Sequence, residues 1–215
     1  MPAVSTVVML AILLTLGTWQ LRRREWKHAL LARIDAAEAV PGIPLDADPA
    51  PFAKVRVTGT LRPNATALYG AEVRDTPGGQ QILGAQLLAV LDRAAGPVLV
   101  DRGWVDVAAV PAPPNEPVTI DGFVRPPEHL GMVSAQDDPA NHRFWTLDPV
   151  PVGASLGVTV PPFTVVALGP PGLPDPAREM PRPPDNHLNY ALTWYGFAVT
   201  LLIIFVLYAR KALRS

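Results

Sequence analysis

An α+β membrane protein, with two transmembrane helices flanking a mostly antiparallel β-rich extramembrane domain, is the fold class this sequence predicts. Three observations predict it. A charge-free run covers residues 2–21 and another covers residues 188–209. All 19 acidic residues and 15 of the 18 basic ones lie between them, so residues 22–187 carry a net −4. All but one of the 26 prolines lie there too, the exception being Pro2, among short β-branched runs. The chain of 215 residues allows one domain of ordinary size. Its 26 prolines and 16 glycines would suggest disorder in a polar chain, but 49% of residues are hydrophobic and the mean hydropathy is +0.21. A formal net charge of −1 argues against a nucleic-acid binder, which needs a basic surface to offset phosphates. Without cysteine, disulfides, thiolate metal sites and a cysteine nucleophile are excluded.

Residues 1–21 form the first predicted span. At about 1.5 Å rise per residue, such a run gives a helix of roughly 30 Å, the thickness of the bilayer hydrocarbon. The run ends in Trp19-Gln20-Leu21-Arg22-Arg23-Arg24, with no small-x-small cleavage site and no basic stretch before it. It therefore reads as a retained anchor rather than a cleaved signal peptide. The segment ahead of it is short and uncharged, which is compatible with a start codon further upstream. Residues from Leu21 to about 40 lack Pro and Gly and are rich in Leu, Ala and Arg, so the helix is expected to continue out of the membrane.

Residues 41–168 form the predicted β-rich domain. Candidate strands are Val55–Thr58, Ala67–Tyr69, Gln81–Leu83, Val98–Val100, Val118–Ile120, Arg143–Thr146 and Phe163–Val166. Turn clusters at Thr76-Pro77-Gly78-Gly79, Pro111–Asn115 and Gly169–Gly172 separate them. So many prolines confine strands to short pieces or edges. Residues 169–185 read as an extended Pro-rich connector. Residues 186–209 form the second span, with Trp194, Tyr195 and Tyr208 near its ends, where amphipathic rings favour the interface. Residues 210–215 are a basic tail carrying Arg210, Lys211 and Arg214. Two spans put both termini on one side. Arg22, Arg23, Arg24 and Lys27 lie on the loop side, so a literal positive-inside count keeps the loop cytoplasmic. Long loops escape that rule, and the residues alone leave the topology open.

Chemistry is sparse. Of the four serines, Ser134 and Ser155 lie in the loop, and neither sits in a nucleophile elbow. No P-loop, H-E-x-x-H, EF-hand or G-x-G-x-x-G pattern occurs. Asp137-Asp138 precedes Pro139 and reads as an exposed turn. His28, His129, His142 and His187 are far apart in sequence, with no i, i+4 pair. Nothing in the pattern points to an enzyme.

Three places concentrate unusual residues. In the first, Trp19, Arg23 and Trp26 follow i, i+4, i+7 and share a helix face at the interface. They serve either as an anchor, with Lys27 and the arginines on phosphates, or as a docking face for a partner or anionic ligand. In the second, a strand ends at Val98–Asp101, Gly103 permits a turn or bulge, and Trp104 packs back, a structural reading. In the third, Asp185 or Asn186 caps the second span. His187, Tyr190, Ala191 and Trp194 then line one face. An imidazole there is either an interfacial side chain or, among aromatic rings, an axial ligand to haem.

The motifs Gly17-x-Trp19-Gln20-x-x-Arg23-x-x-Trp26-Lys27, Val55-x-Val57-x-Gly59, Arg102-Gly103-Trp104-Val105 and Asn186-His187-Leu188-x-Tyr190-Ala191-Leu192-Thr193-Trp194-Tyr195 occur in this order between the spans. Together they resemble the SURF1/Shy1 family of cytochrome c oxidase assembly factors, over essentially the whole chain. Asp185 stands where many members have a second Asn, and Phe52-Ala53 where a Tyr-Arg-like pair is common. The resemblance implies an inner-membrane protein, of the bacterial plasma membrane or of mitochondria, with a periplasmic or intermembrane-space domain and cytoplasmic or matrix termini. It reverses the literal charge count. It also implies binding of haem a, with His187 as axial ligand to the iron and insertion of the haem into oxidase subunit I. Tyr190, Trp194 and Trp19 would cover the porphyrin, and Arg23 and Lys27 would reach its propionates. The implied partners are subunit I, haem a synthase and membrane lipid. A scaffold that stabilises nascent subunit I without binding haem is the alternative.

Overall fold

The structure, a computed structural model, describes residues 2–75, 79–128, 135–182 and 185–213. The predicted turn Thr76-Pro77-Gly78, together with His129, Ser134 and Arg214, lies outside the described residues. The α+β class with two long apolar helices around a sheet-rich domain is what the structure shows. Helix α1 spans Pro2–Glu38 and helix α3 spans His187–Ala212. A third, short helix α2 spans Pro149–Ser155. Strands are β1 Ile43–Pro44, β2 Lys54–Asp75, β3 Gln81–Asp92, β4 Val98–Asp106, β5 Val118–Arg125, β6 Arg143–Phe144 and β7 Thr164–Ala167.

The chain divides into two compact units, one helical, from α1 up to Arg33 together with the chain from Pro181 onward, and one β, Ile34–Met180. In the β unit, β2, β3, β4, β7 and β5 are neighbours in that order, and β2 pairs again with β5, which closes a barrel. β4 and β7 run parallel; the other four barrel pairings are antiparallel. Closure leaves none of the five an open edge.

β2 corrects the expectation of short strands. The predicted strands Val55–Thr58 and Ala67–Tyr69 are one strand, paired with β5 over Lys54–Gly59 and with β3 from Thr60 onward. Pro63 falls in a register shift between Leu61 and Thr66, where Asn64 takes φ 58°. A bulge of this kind accommodates a residue that cannot donate to the ladder. The predicted strand Arg143–Thr146 is shorter than expected, ending at Phe144.

β3 and β4 are buried on both faces, which is why Leu87–Leu91 and Val98–Val100 are unbroken apolar runs. Ala89, Leu91, Val98 and Val100 point into the barrel with Val55, Val57, Leu61, Val124, Phe163 and Val165. Leu88, Val90 and Leu99 point outward and are covered by Phe144, Leu147, Val152, Val158 and Val160, from β6, α2 and the chain leading to β7. α2 begins where it does because Pro149 fits its first position and Asp148 accepts the Val150 N–H at 3.1 Å.

The predicted extended connector folds back over its first part. Asp175 and Trp104 exchange two backbone hydrogen bonds of 2.8 Å, and Gly169 N–H donates to the Ala177 carbonyl at 3.1 Å. β4 does not end at Asp101. It continues through a bulge at Gly103 (φ 113°), where a Cβ would lie 2.2 Å from the Asp175 carbonyl oxygen. Trp104 lies on Gly84, and its Nε1–H donates to the Glu72 carbonyl at 3.1 Å. The two ends of the β unit are tied together, as the Met180 N–H donates to Glu38 Oε1 at 2.9 Å.

Within the helical unit, α1 and α3 bury few side chains, most of them small, and expose most of their large ones. Gly17 and Leu13 of α1 and Ala191 and Ala198 of α3 are buried. Val4, Val7, Val8 and Ile12 of α1 and Leu202, Ile203, Ile204 and Leu207 of α3 are exposed. Only 17% and 11% of the most apolar windows of the two helices are buried, unlike the core helices of a soluble protein.

Candidate functional site

The site forms around the start of α3. Asn186 occupies the N-cap position but makes no side-chain cap hydrogen bond. Asp185 does the capping instead, its Oδ1 accepting the His187 N–H at 3.1 Å and so satisfying one of the free amides of the first turn. Its other oxygen meets His28 Nε2 at 2.9 Å and lies 4.0 Å from Arg24 Nε. The His187 N–H, opposed by desolvation and reinforced by His28, holds the Asp185 carboxyl below the usual carboxylate range. One carboxylate thus links the first turn of α3 to α1.

The His187 ring is fixed separately. Its Nδ1 lies 2.8 Å from Gln20 Oε1, an amide oxygen on α1. The contact orients the ring through Nδ1 and does not involve Nε2. Among the described residues Nε2 has no hydrogen-bond partner. Further along α3, Ala191 is buried. The Tyr195 ring packs against Gly17, and its hydroxyl lies 3.2 Å from Thr18 Oγ1.

The other predicted site residues are distributed differently. Trp194 is half-buried, its ring edge-on to Phe197 with centroids 6.2 Å apart. Tyr190 and Trp19 are exposed, at 56% and 54%. The Arg23 guanidinium stacks over the Trp26 ring at 4.1 Å, and Lys27 is half-buried. Beside Trp19 lies a shallow depression of about 410 Å³ bounded by Leu14, Thr15, Thr18 and Arg22. The structure therefore brings His187 to Gln20 and Asp185 to His28. It leaves Trp19 and Tyr190 standing at the surface. Sequence reasoning named neither Gln20 nor His28 for a role. The available signal for Gln20 was an amide side chain inside an otherwise apolar run.

The carboxylate pair in the loop is structural. Asp138 caps the 3-10 turn Pro139–Asn141, and Asp137 Oδ1 accepts the N–H groups of Trp145 and Thr146. Among the described residues no three His, Asp or Glu side chains gather as a bare metal ion would require. A haem iron brings four ring nitrogens of its own and needs one or two protein ligands. A single imidazole such as His187 is the kind of ligand that group takes.

A family model described as the SURF1 family matches residues 7–199. The chain is 29% identical to a SURF1-like protein of Rickettsia felis over 220 residues, covering 96% of each. It is 30% identical to a SURF1-like protein of Rickettsia conorii, over 93% of this chain and 88% of that one. The cytochrome oxidase assembly protein SHY1 of Saccharomyces cerevisiae is 28% identical over 60% of this chain and 37% of its own length.

Proposed function

This chain belongs to the SURF1 family, and from that premise we propose that it is a cytochrome c oxidase assembly factor. In this reading it binds haem a through His187 and assists its insertion into subunit I. The observation that carries the reading is the contact of His187 Nδ1 with Gln20 Oε1 at 2.8 Å, which orients the ring from α1 and leaves Nε2 outside the contact. Haem a is the cargo, and a macrocycle with a long apolar tail partitions naturally to a site at the membrane surface. Trp194, Tyr190 and Trp19 offer aromatic faces to the macrocycle, and Arg23 and Lys27 offer positive charge to its propionates. Subunit I is the recipient partner and haem a synthase the donor. The β unit lies on the periplasmic side of the inner membrane with both termini in the cytoplasm, or at the corresponding places in a mitochondrion.

The experiment is to purify the chain from cells that make haem a but lack oxidase subunits. Wild type retains haem, His187→Ala retains little, and Gln20→Leu binds about 10–100-fold more weakly because the ring loses its orienting partner. Equal haem content in wild type and His187→Ala removes His187 from the mechanism. No haem in either, with subunit I still co-purifying from normal cells, replaces this reading with a scaffold that binds subunit I alone.

A further inference from the structure

The β unit holds a half-buried arginine, without an ion-pair partner among the described residues, that the haem reading does not use. Nη1 of Arg102, on β4, is buried and has no hydrogen-bond partner among the described residues. Two other arginines also bury an unpartnered nitrogen, but each is anchored elsewhere. Arg93 donates to the Leu45 carbonyl at 3.2 Å and Arg143 to the Gly70 carbonyl at 2.7 Å. For Arg102, no hydrogen bond or ion pair of the guanidinium occurs among the described residues. Burial alone pulls its pKa below the usual arginine value, with no carboxylate acting in the other direction. The side chain as a whole is half-buried, so the guanidinium keeps part of its hydration while Nη1 goes without a partner.

A cavity of about 440 Å³ adjoins it, walled mainly by Leu61, Ile120, Pro170, Pro171 and Leu173. The proline wall is held in place by the Trp104–Asp175 backbone pair and by Arg178 Nη1 donating to the Gly169 carbonyl at 3.0 Å. Asp121, on the rim, is already engaged by Arg56 through two hydrogen bonds of 2.7 and 3.1 Å. The volume lies in the range of small-molecule sites, and the lining combines these apolar side chains with Arg102, Thr119 and Asp121.

We infer that this cavity binds an amphipathic monocarboxylic acid, its carboxylate against the Arg102 guanidinium and its apolar body against the proline and leucine side chains. One guanidinium compensates one negative charge. The second charge of a dianion such as a phosphate monoester is left without a partner there.

Hexanoate is the probe, added to the full chain in lipid nanodiscs while thermal unfolding of the β unit is followed. Hexanoate raises the wild-type Tm saturably, and Arg102→Gln requires at least about tenfold more of it. Hexanol at the same concentrations has no comparable effect, and hexyl phosphate acts more weakly than hexanoate. Without ligand, Arg102→Gln melts at or above the wild-type temperature, because no partner is lost. A hexanoate response equal in wild type and Arg102→Gln, or absent from both, overturns the inference. So does a hexanol response matching that of hexanoate, or a phosphate ester that acts more strongly. An unliganded Arg102→Gln that melts well below wild type also overturns it, since the fold itself then holds the guanidinium. None of these results depends on haem binding at His187.

Discussion

The helical pair and the barrel use apolar residues in opposite directions. In the barrel, Leu88, Val90, Leu99 and Phe144 have no measurable exposure, and each such side chain contributes about 1.5–3 kcal/mol by leaving water. In α1 and α3 most large side chains stand outside, and the buried positions are few: Leu13, Gly17, Ala191 and Ala198. A barrel in water is held by what it hides. Helices in lipid gain nothing by hiding leucine from hydrocarbon and rely on close approach and a few hydrogen bonds. The barrel is therefore expected to be sensitive to volume and buried charge, and the helical pair to depend on single polar links such as His187–Gln20.

The largest effect that tests this contrast comes from Gly103→Val. A side chain there meets the Asp175 carbonyl at 2.2 Å from a backbone at φ 113° that a β-branched residue does not adopt. We expect a loss of more than about 3 kcal/mol in denaturant unfolding of the β unit. A wild-type midpoint would mean that β4 and the folded-back loop separate freely.

The next effect is a pH dependence. Asp101 is buried on β4, and desolvation raises its pKa to about 6, opposed by the Gly103 N–H at 3.0 Å and by the charge of Arg125. An unfolded Asp titrates near 3.9. The folded state thus binds the proton more tightly, so this group's stabilising contribution is complete below about pH 4 and is lost as pH rises through about 6. Between these limits wild type should lose about 2–3 kcal/mol relative to Asp101→Asn, whose profile stays flatter. Parallel profiles for the two proteins would show that the carboxyl is solvated after all.

The smallest effect belongs to the helical pair. A Cβ on Gly17 meets the Tyr195 ring at 2.8 Å, but that ring is the far end of a side chain that can swing aside. Gly17→Val should cost about 1 kcal/mol or less in SDS titration, through loss of the Tyr195–Thr18 hydroxyl contact. A penalty as large as that of Gly103→Val would erase the distinction between the two regions.

What was legible in the sequence follows from range. The two apolar runs could be read because hydropathy is a property of contiguous residues; at Gly103 the conformational freedom was legible, but whether it made a turn or a bulge was not, and the strand continues through it. β2 was divided in two because Pro63 and Asn64 signal a break locally, whereas pairing with β3 on both sides carries the strand past them. The fold-back at 169–177 was missed because proline composition reports stiffness and says nothing of direction. The His187–Gln20 contact joins residues 167 apart and has no periodic signature. The lack of an ion-pair partner for Arg102 among the described residues could not be seen at all, since a sequence shows which charges exist and not which ones meet.

The closure of the barrel also sets an order of events during synthesis. β2 can pair with β3 as soon as Asp92 is available, but its first six residues must wait for β5, more than 50 residues further on. The parallel seam between β4 and β7 cannot form until Ala167 has been made. Pairings this far apart form slowly, because the loop entropy is lost before any contact rewards it. The nascent chain therefore exposes Val55 and Val57, later sealed inside, while α1 has long been complete. That half-built edge stays open until β5 and β7 have been made.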